Sequence, residues 1–321
     1  MPSTAEPDHS RRPPGRVAFV TGGGGFLGGA TARALAAAGW RVAALGHGVG
    51  AQAIPATITI EGDVDRARLD GARAATGPPQ LVVHCAGGAS VPASVADPAA
   101  DRARSLEPLQ AVLRFLEARA GDARLVFPSS AAVYGGGEGP IREDAPLAPV
   151  SPYGRHKLEA EAMIAAAAAG FGLDAVVVRF FSAYGPGLRK QLFWDLARRL
   201  AARPAEVQLA GDGDELRDFV FVDDAVDLVG VAAALERRAE PWIVNGGRGR
   251  GVSVREAADG LAQALGAHTR IRFSGKGRAG DPHDLVADIT LARTLGFDPK
   301  VGLGEGLERY VRWLAVAAAG A

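Results

Sequence analysis

One short segment, Thr21-Gly22-Gly23-Gly24-Gly25-Phe26-Leu27-Gly28, restricts what this chain can fold into more than any other. It follows a β-branched and apolar run, Val17 to Thr21, and opens a stretch of helical periodicity from Phe26 to Ala38 that stops at Gly39. Gly22 lets the chain turn sharply out of a strand, Gly25 lets backbone approach a pyrophosphate, and Gly28 lets a helix pack close to a sheet. The free N–H groups of the helix start then face the phosphates. A glycine-rich loop alone is most often a turn. A strand before it and a helix after it make it a dinucleotide site.

The periodicity of the following segments agrees. Further strands are expected at Arg41 to Leu45, Thr57 to Ile60, Leu81 to His84, Arg124 to Pro128 and Ala175 to Phe180. Long helices are expected at Asp97 to Ala120 and Pro152 to Ala169. The strands are apolar without alternation, as in a parallel sheet buried on both faces. The pattern predicts an α/β fold, a doubly wound parallel sheet of the Rossmann type over residues 17–181. Beyond Phe181 the elements shorten and glycine and charge intersperse them, so residues 182–321 are expected to form mainly a smaller α/β substrate domain, with some segments returning to the first.

Composition narrows the partners. Lys and Arg total 36 and Asp and Glu total 36, so no net charge draws nucleic acid or an anionic membrane, and neither is expected as a partner. The run Ile164 to Gly170 is too short to span a bilayer. Met1 to Arg16 is rich in proline and charge and reads as a disordered extension. Cys85 is the single cysteine, which fits a reducing, cytoplasmic setting. No metal site is expected.

Tyr153 and Lys157 stand four residues apart near a predicted helix start and so share one face. A phenol of pKa ~10 is a poor base at neutral pH. An adjacent ammonium is expected to lower that value and to make Tyr153 a usable acid or base. In isolation such a pair is a solvated helix face. Downstream of a dinucleotide loop, and after Ser129-Ser130 at a strand end, it reads as catalytic. The cofactor is less determined. Gly46-His47-Gly48 ends the second strand with neither the acid that accepts bonds from an NAD ribose nor an arginine for a 2′-phosphate. NAD is expected, with NADP left open. Asp63 is read either as an acceptor for the adenine amino group or as a helix N-cap.

Together, Thr21 to Gly28, Ser130, Tyr153 and Lys157 resemble the extended short-chain dehydrogenases/reductases, in the sugar-nucleotide epimerase/dehydratase family. Also similar are His84-Cys85-Ala86-Gly87, Ser90 to Pro98, Ser130 to Gly135, Tyr184-Gly185-Pro186-Gly187, Arg217 to Ala225, and Arg278-Ala279-Gly280-Asp281 with Ala287-Asp288. The resemblance implies that Gly22, Gly25, Phe26, Leu27, Gly28, Asp63, Val64 and Ala86 line the cofactor site. It makes Tyr153 the acid/base, Lys157 its electrostatic partner, both of them cofactor contacts, and Ser130 the hydroxyl that bonds the reacting sugar oxygen. Arg217 and Arg278 would hold a nucleotide diphosphate, and Asp281 a substrate ribose hydroxyl; read from residues alone, each arginine is a surface ion pair. Ser105 and Ser182 stand where the family often has asparagine, and Pro128 where a third serine is common; Ser182 is nonetheless expected at the substrate.

Family dehydratases carry an Asp-Glu pair after the catalytic hydroxyl, and decarboxylases keep a glutamate there. Here that place reads Ala131-Ala132. The expected reaction is therefore epimerisation of a nucleotide-linked sugar at C4 through a 4-keto intermediate with bound NAD. The alternatives are NADP-dependent reduction of a 4-keto sugar nucleotide and a non-catalytic dinucleotide-binding regulator. The two long helices are expected to pair with their copies in a homodimer.

Overall fold

The computed structural model describes residues 15–51, 57–277 and 282–319. All but Gly15 and Arg16 of the expected N-terminal extension lies outside these residues, as do Arg278 and Asp281. Strand β1 (Val17–Thr21) leads through the glycine loop into α1 (Phe26–Ala37) and β2 (Arg41–Gly46). Next come β3 (Thr57–Glu61), α2 (Arg66–Thr76), β4 (Leu81–His84), α3 (Val91–Ala96) and α4 (Pro98–Arg119). Strand β5 (Arg124–Ser130), the short β6 (Pro140–Ile141), α5 (Pro152–Phe171) and β7 (Ala175–Phe180) follow. The remainder is β8 (Ser182–Tyr184), α6 (Gln191–Ala201), β9 (Glu206–Leu209), β10 (Leu216–Phe221), α7 (Val222–Ala234), β11 (Trp242–Gly246), β12 (Gly251–Ser253), α8 (Val254–Ala264), β13 (Arg270–Phe273), β14 (Val286–Ala287), α9 (Thr290–Thr294) and α10 (Leu303–Ala319).

Among the described residues, seven parallel strands form the central sheet in the order β3-β2-β1-β4-β5-β7-β11. Burial on both faces follows from the alternation of side chains along each strand. From β1, Val17 and Phe19 enter a core shared with α2, α4 and α5, while Ala18 and Val20 enter one shared with α1, α7 and α9. Leu125 and Phe127 of β5 point to the first layer and Val126 to the second. Strand order reverses between β1 and β4, and the diverging crossovers leave a crevice outside the carboxyl ends of those two strands.

Local chemistry sets the helix boundaries. Asp97 caps α4 by accepting from Ala100 N at 2.9 Å, and Ser151 caps α5 by accepting from Gly154 N at 3.1 Å. Helix α2 is not evident from sequence periodicity, because its buried stripe is only Leu69, Ala72 and Thr76. Its cap is Asp65, which accepts from Arg68 N at 2.8 Å, so the N-cap reading of Asp63 is corrected.

Smaller sheets pack beyond the carboxyl ends. Strand β10 pairs with β8 and β12, β9 with β13, and β14 with β6. Their core is aromatic, with Tyr184, Phe193, Phe219, Phe221 and Tyr310 packed together. The second half nonetheless contributes α7, β11 and α9 to the main sheet, through Ala225, Leu228, Val244 and Ala292. No described helix is long and apolar enough to cross a membrane.

A buried polar network joins β5, β7, β11 and α5 beneath the crevice. The Arg179 guanidinium donates to Glu161 Oε2 at 2.7 Å and to Tyr134 Oη at 3.0 Å. Glu161 Oε1 also accepts from Ser129 Oγ at 2.5 Å, and Tyr134 Oη donates to Asn245 Oδ1 at 2.8 Å. Removing the cation alone leaves an uncompensated buried carboxylate. Arg179→Met is therefore expected to cost about 3–5 kcal/mol in unfolding free energy. Urea titration by circular dichroism checks this; an unchanged midpoint would show that the network carries no such energy.

Candidate active site

The crevice opens into a cavity of about 1690 Å³ that runs from the glycine loop to β10. That exceeds the ~300–1,000 Å³ of a typical single-ligand pocket and leaves room for a dinucleotide and a second nucleotide side by side. Gly22, Gly25, Phe26, Leu27, Gly28, Asp63, Val64 and Ala86 all lie on its wall. Ser130, Tyr153, Lys157, Ser182 and Arg217 lie there too.

The glycine loop fits a pyrophosphate by construction. Gly22 adopts φ +68°, and a Cβ there would stand 2.7 Å from Ala86 N and Cys85 C, so the β1 loop lies against the β4 loop with no room for a side chain. A Cβ on Gly28 would stand 2.2 Å from Gly22 O, which fixes how closely α1 approaches the loop. Gly25 at the N-cap of α1 supplies no side-chain cap, leaving the first N–H groups of the helix to an anion. At the far end His47 Nε2 and Asp63 Oδ1 are 2.8 Å apart, both exposed. The hydrogen bond and charge of His47 hold the Asp63 carboxyl below the usual carboxylate range, so a negative charge stands at this edge of the cavity.

The other end of the cavity holds the hydroxyl, phenol and ammonium. Ser130 is the last residue of β5, and its Oγ accepts from Ala132 N at 3.2 Å in the turn that follows. Pro152 and Tyr153 begin α5, and Tyr153 N donates to Ser94 Oγ at 3.0 Å, which ties the helix start to α3. The Ser130 hydroxyl stands close enough to the Tyr153 phenol to act on its pKa. One turn on, Lys157 Nζ donates to Pro128 O at 3.0 Å and sits 4.7 Å from the centre of the Phe127 ring and 6.0 Å from that of Tyr153.

Electrostatics here differ from the sequence expectation. Burial raises the Tyr153 pKa and outweighs the lowering effect of the Ser130 hydroxyl, and the Asp101 charge raises it further. Burial also pushes Lys157 down to about 8, against the raising influence of Cys85, Glu161 and Asp101. Desolvation disfavours the charged form of each, so the protein alone does not stabilise the phenolate. His84, behind Lys157, is pushed down to about 3 by burial and by the Lys157 charge, and its Nδ1 lies 2.7 Å from Thr21 Oγ1.

Arg217 lies on the cavity wall, but its fork holds backbone: it donates to Leu216 O and Pro282 O at 2.8 Å each and to His283 O. Sequence reasoning overlooked Arg189 and Lys190, which line the cavity just before α6. Burial lowers the pKa of Lys190. Their position almost directly after Tyr184-Gly185-Pro186-Gly187 was the available signal. The buried pair Asp101–His156 was overlooked as well, since 55 residues separate its members. Among the described residues no cluster of His, Cys, Asp or Glu is arranged to hold a metal.

The chain matches known proteins along most of its length. A family model, "NAD dependent epimerase/dehydratase family", matches residues 18–247. The UDP-glucose 4-epimerase of Azospirillum brasilense is 35% identical over 317 residues, covering 91% of this chain and 89% of that protein. The crystal structure of the Thermus thermophilus UDP-glucose 4-epimerase in complex with NAD superposes with a TM-score of 0.84 at 29% identity, over 94% of this chain and 99% of that one. MoeE5, in complex with UDP-glucuronic acid and NAD, gives a TM-score of 0.82 at 32% identity over 94% of this chain and 100% of that one. With the match extending from the glycine loop through Tyr153 and Lys157 into the second half, the chain belongs to the NAD dependent epimerase/dehydratase family.

Proposed function

We propose that this chain interconverts the C4 epimers of a nucleotide-linked sugar, with UDP-glucose the first substrate to test and NAD as the resident cofactor. The observation that carries this reading is the convergence of Tyr153, Ser130 and Lys157 at a strand end where the next two side chains are the buried alanines 131 and 132. One acid/base is present where elimination of water would need a second. Similarity to UDP-glucose 4-epimerases supports the same choice.

In this reading Tyr153 takes the proton from the C4 hydroxyl and returns it to the same oxygen after the 4-keto sugar has turned over and presented its other face for the returning hydride. Ser130 donates to, or accepts from, the same sugar oxygen and keeps it within reach of the phenol. Lys157, fixed by Pro128 O, places its charge beside the phenol. Bound NAD⁺ would accept the C4 hydride and give it back, and while oxidised it adds a positive charge that favours the phenolate. Geometry supplies much of the acceleration, because the reacting groups are held together rather than meeting in solution.

Gly22, Gly25, Phe26, Leu27, Gly28, Val64 and Ala86 hold the dinucleotide in this assignment. The Asp63 carboxylate at the adenosine end suits a free ribose better than a 2′-phosphate. The substrate diphosphate falls to Arg189, Lys190 and the start of α6, with Arg217 and Arg278. Arg217 would join with a guanidinium already bonded to the carbonyls of Leu216, Pro282 and His283. Ser182 and Asp281 contact the sugar and the substrate ribose. The enzyme acts in the cytoplasm as a homodimer through the outward faces of α4 and α5.

Tyr153→Phe is expected to lower kcat about 10²–10⁴-fold with the melting temperature little changed, followed by NMR of UDP-glucose and UDP-galactose at equilibrium. Wild-type turnover in that variant would remove Tyr153 from the chemistry. Heat-denatured pure protein is expected to release NAD close to one per chain by ion-pair chromatography. Release of NADP instead, with stoichiometric loss of 340-nm absorbance on a 4-keto sugar nucleotide, would identify a reductase.

A further inference from the structure

Behind the acid/base pair lies a titratable dyad with no part in the chemistry so far. His156, the residue before Lys157 on α5, has its Nδ1 2.7 Å from Oδ2 of Asp101 on α4. The Asp101 side chain is 1% exposed and that of His156 10%. The dyad borders the cavity wall from behind. A Cβ on Gly88, which lines the cavity, would stand 2.3 Å from Asp101 Oδ1, and Gly88 N donates to Ser105 Oγ at 3.2 Å. Asp101 thus sits under the loop after β4, and its charge acts on both Tyr153 and Lys157.

The surroundings of Lys157 make this carboxylate unusual. From β4 it faces Cys85 and His84, from α4 Asp101, from α5 Tyr153 and Glu161, and from the segment before α6 Lys190. Glu161 is already matched by the Arg179 guanidinium, 2.7 Å away, so its field at Lys157 is largely cancelled. Asp101 is paired with an imidazole, which neutralises it only when protonated. Among the described residues the ion-pair partner of Asp101 is thus an imidazole, where that of Glu161 is a guanidinium.

We infer that Asp101, held in place by His156 under the loop after β4, is a positioning residue that sets the working pH of the Tyr153–Lys157 pair through its charge. The inference rests on the acid/base reading above. Its negative charge helps keep Lys157 protonated and resists ionisation of Tyr153, so it moves both transitions to higher pH. Removing the charge must then move both in the same direction, downward.

The test is the pH profile of kcat for wild type, Asp101→Asn and His156→Gln. Asparagine keeps an acceptor for His156 without the charge, and glutamine keeps a donor for Asp101 with the charge intact. D101N is expected to move both limbs of the bell to lower pH by roughly half to one unit, with KM nearly constant, while in H156Q both limbs stay in place. A uniform drop in kcat at every pH, with neither limb displaced, would mean a merely structural pair and overturn the inference. Where D101N fails to fold, Asp101→Leu with His156→Leu removes both partners and leaves no unpaired side-chain polar group at either position. That double variant must show the same displacement, and unmoved limbs in it overturn the inference equally. Tyr153→Phe runs alongside. An inactive Y153F with superimposable wild-type and D101N profiles sinks the inference alone, whereas a fully active Y153F sinks the acid/base reading and the inference with it.

Discussion

Everything functional in this chain depends on how closely two loops approach at the point where the parallel sheet reverses its order. Gly22 turns out of β1 against the backbone of Cys85 and Ala86 at the end of β4, with no space for a Cβ between them. Gly28 in turn brings α1 against Gly22. These contacts set the width of the crevice and aim a helix start into it. They also bring the end of β4, with His84 and Cys85 behind Lys157, beside the end of β5, where Ser130 sits.

Desolvation is the dominant electrostatic influence in that crevice. It acts in opposite senses on the phenol and the ammonium, raising one pKa and lowering the other, because in each case it opposes the charged form. Pairing a tyrosine with a lysine is therefore insufficient to make a base. The pair is shaped by what surrounds it: a carbonyl at Pro128, a ring at Phe127, a neutral His84 and two carboxylates of which only Glu161 is matched by a guanidinium.

The buried network of Arg179, Glu161, Tyr134 and Asn245 has a complementary part. It fixes β5, β7, β11 and α5 to one another directly under Ser130 and Lys157, where the polar ends of the strands would otherwise be exposed to an open cavity. Such a floor holds Ser130 and Lys157 in register at the cavity wall.

What the sequence determined by itself was everything governed by short spacing. The 22/25/28 glycines, the four-residue interval from Tyr153 to Lys157, and the apolar runs of β1, β4, β5 and β7 each express a local geometry that a reader can apply without coordinates. Helix α2 escaped because a stripe of Leu69, Ala72 and Thr76 is too thin to give a period, and a cap remained one of two readings of Asp63 because Asp65, two residues on, is equally suited locally. Tertiary structure alone decided the rest. The Asp101–His156 pair, the capture of Lys157 by Pro128 O and the commitment of Arg217 to the carbonyls of Pro282 and His283 join residues far apart in the chain. The protonation of Tyr153 was also decided there, because burial is a property of the whole packed cavity and the interval between two residues carries no record of it.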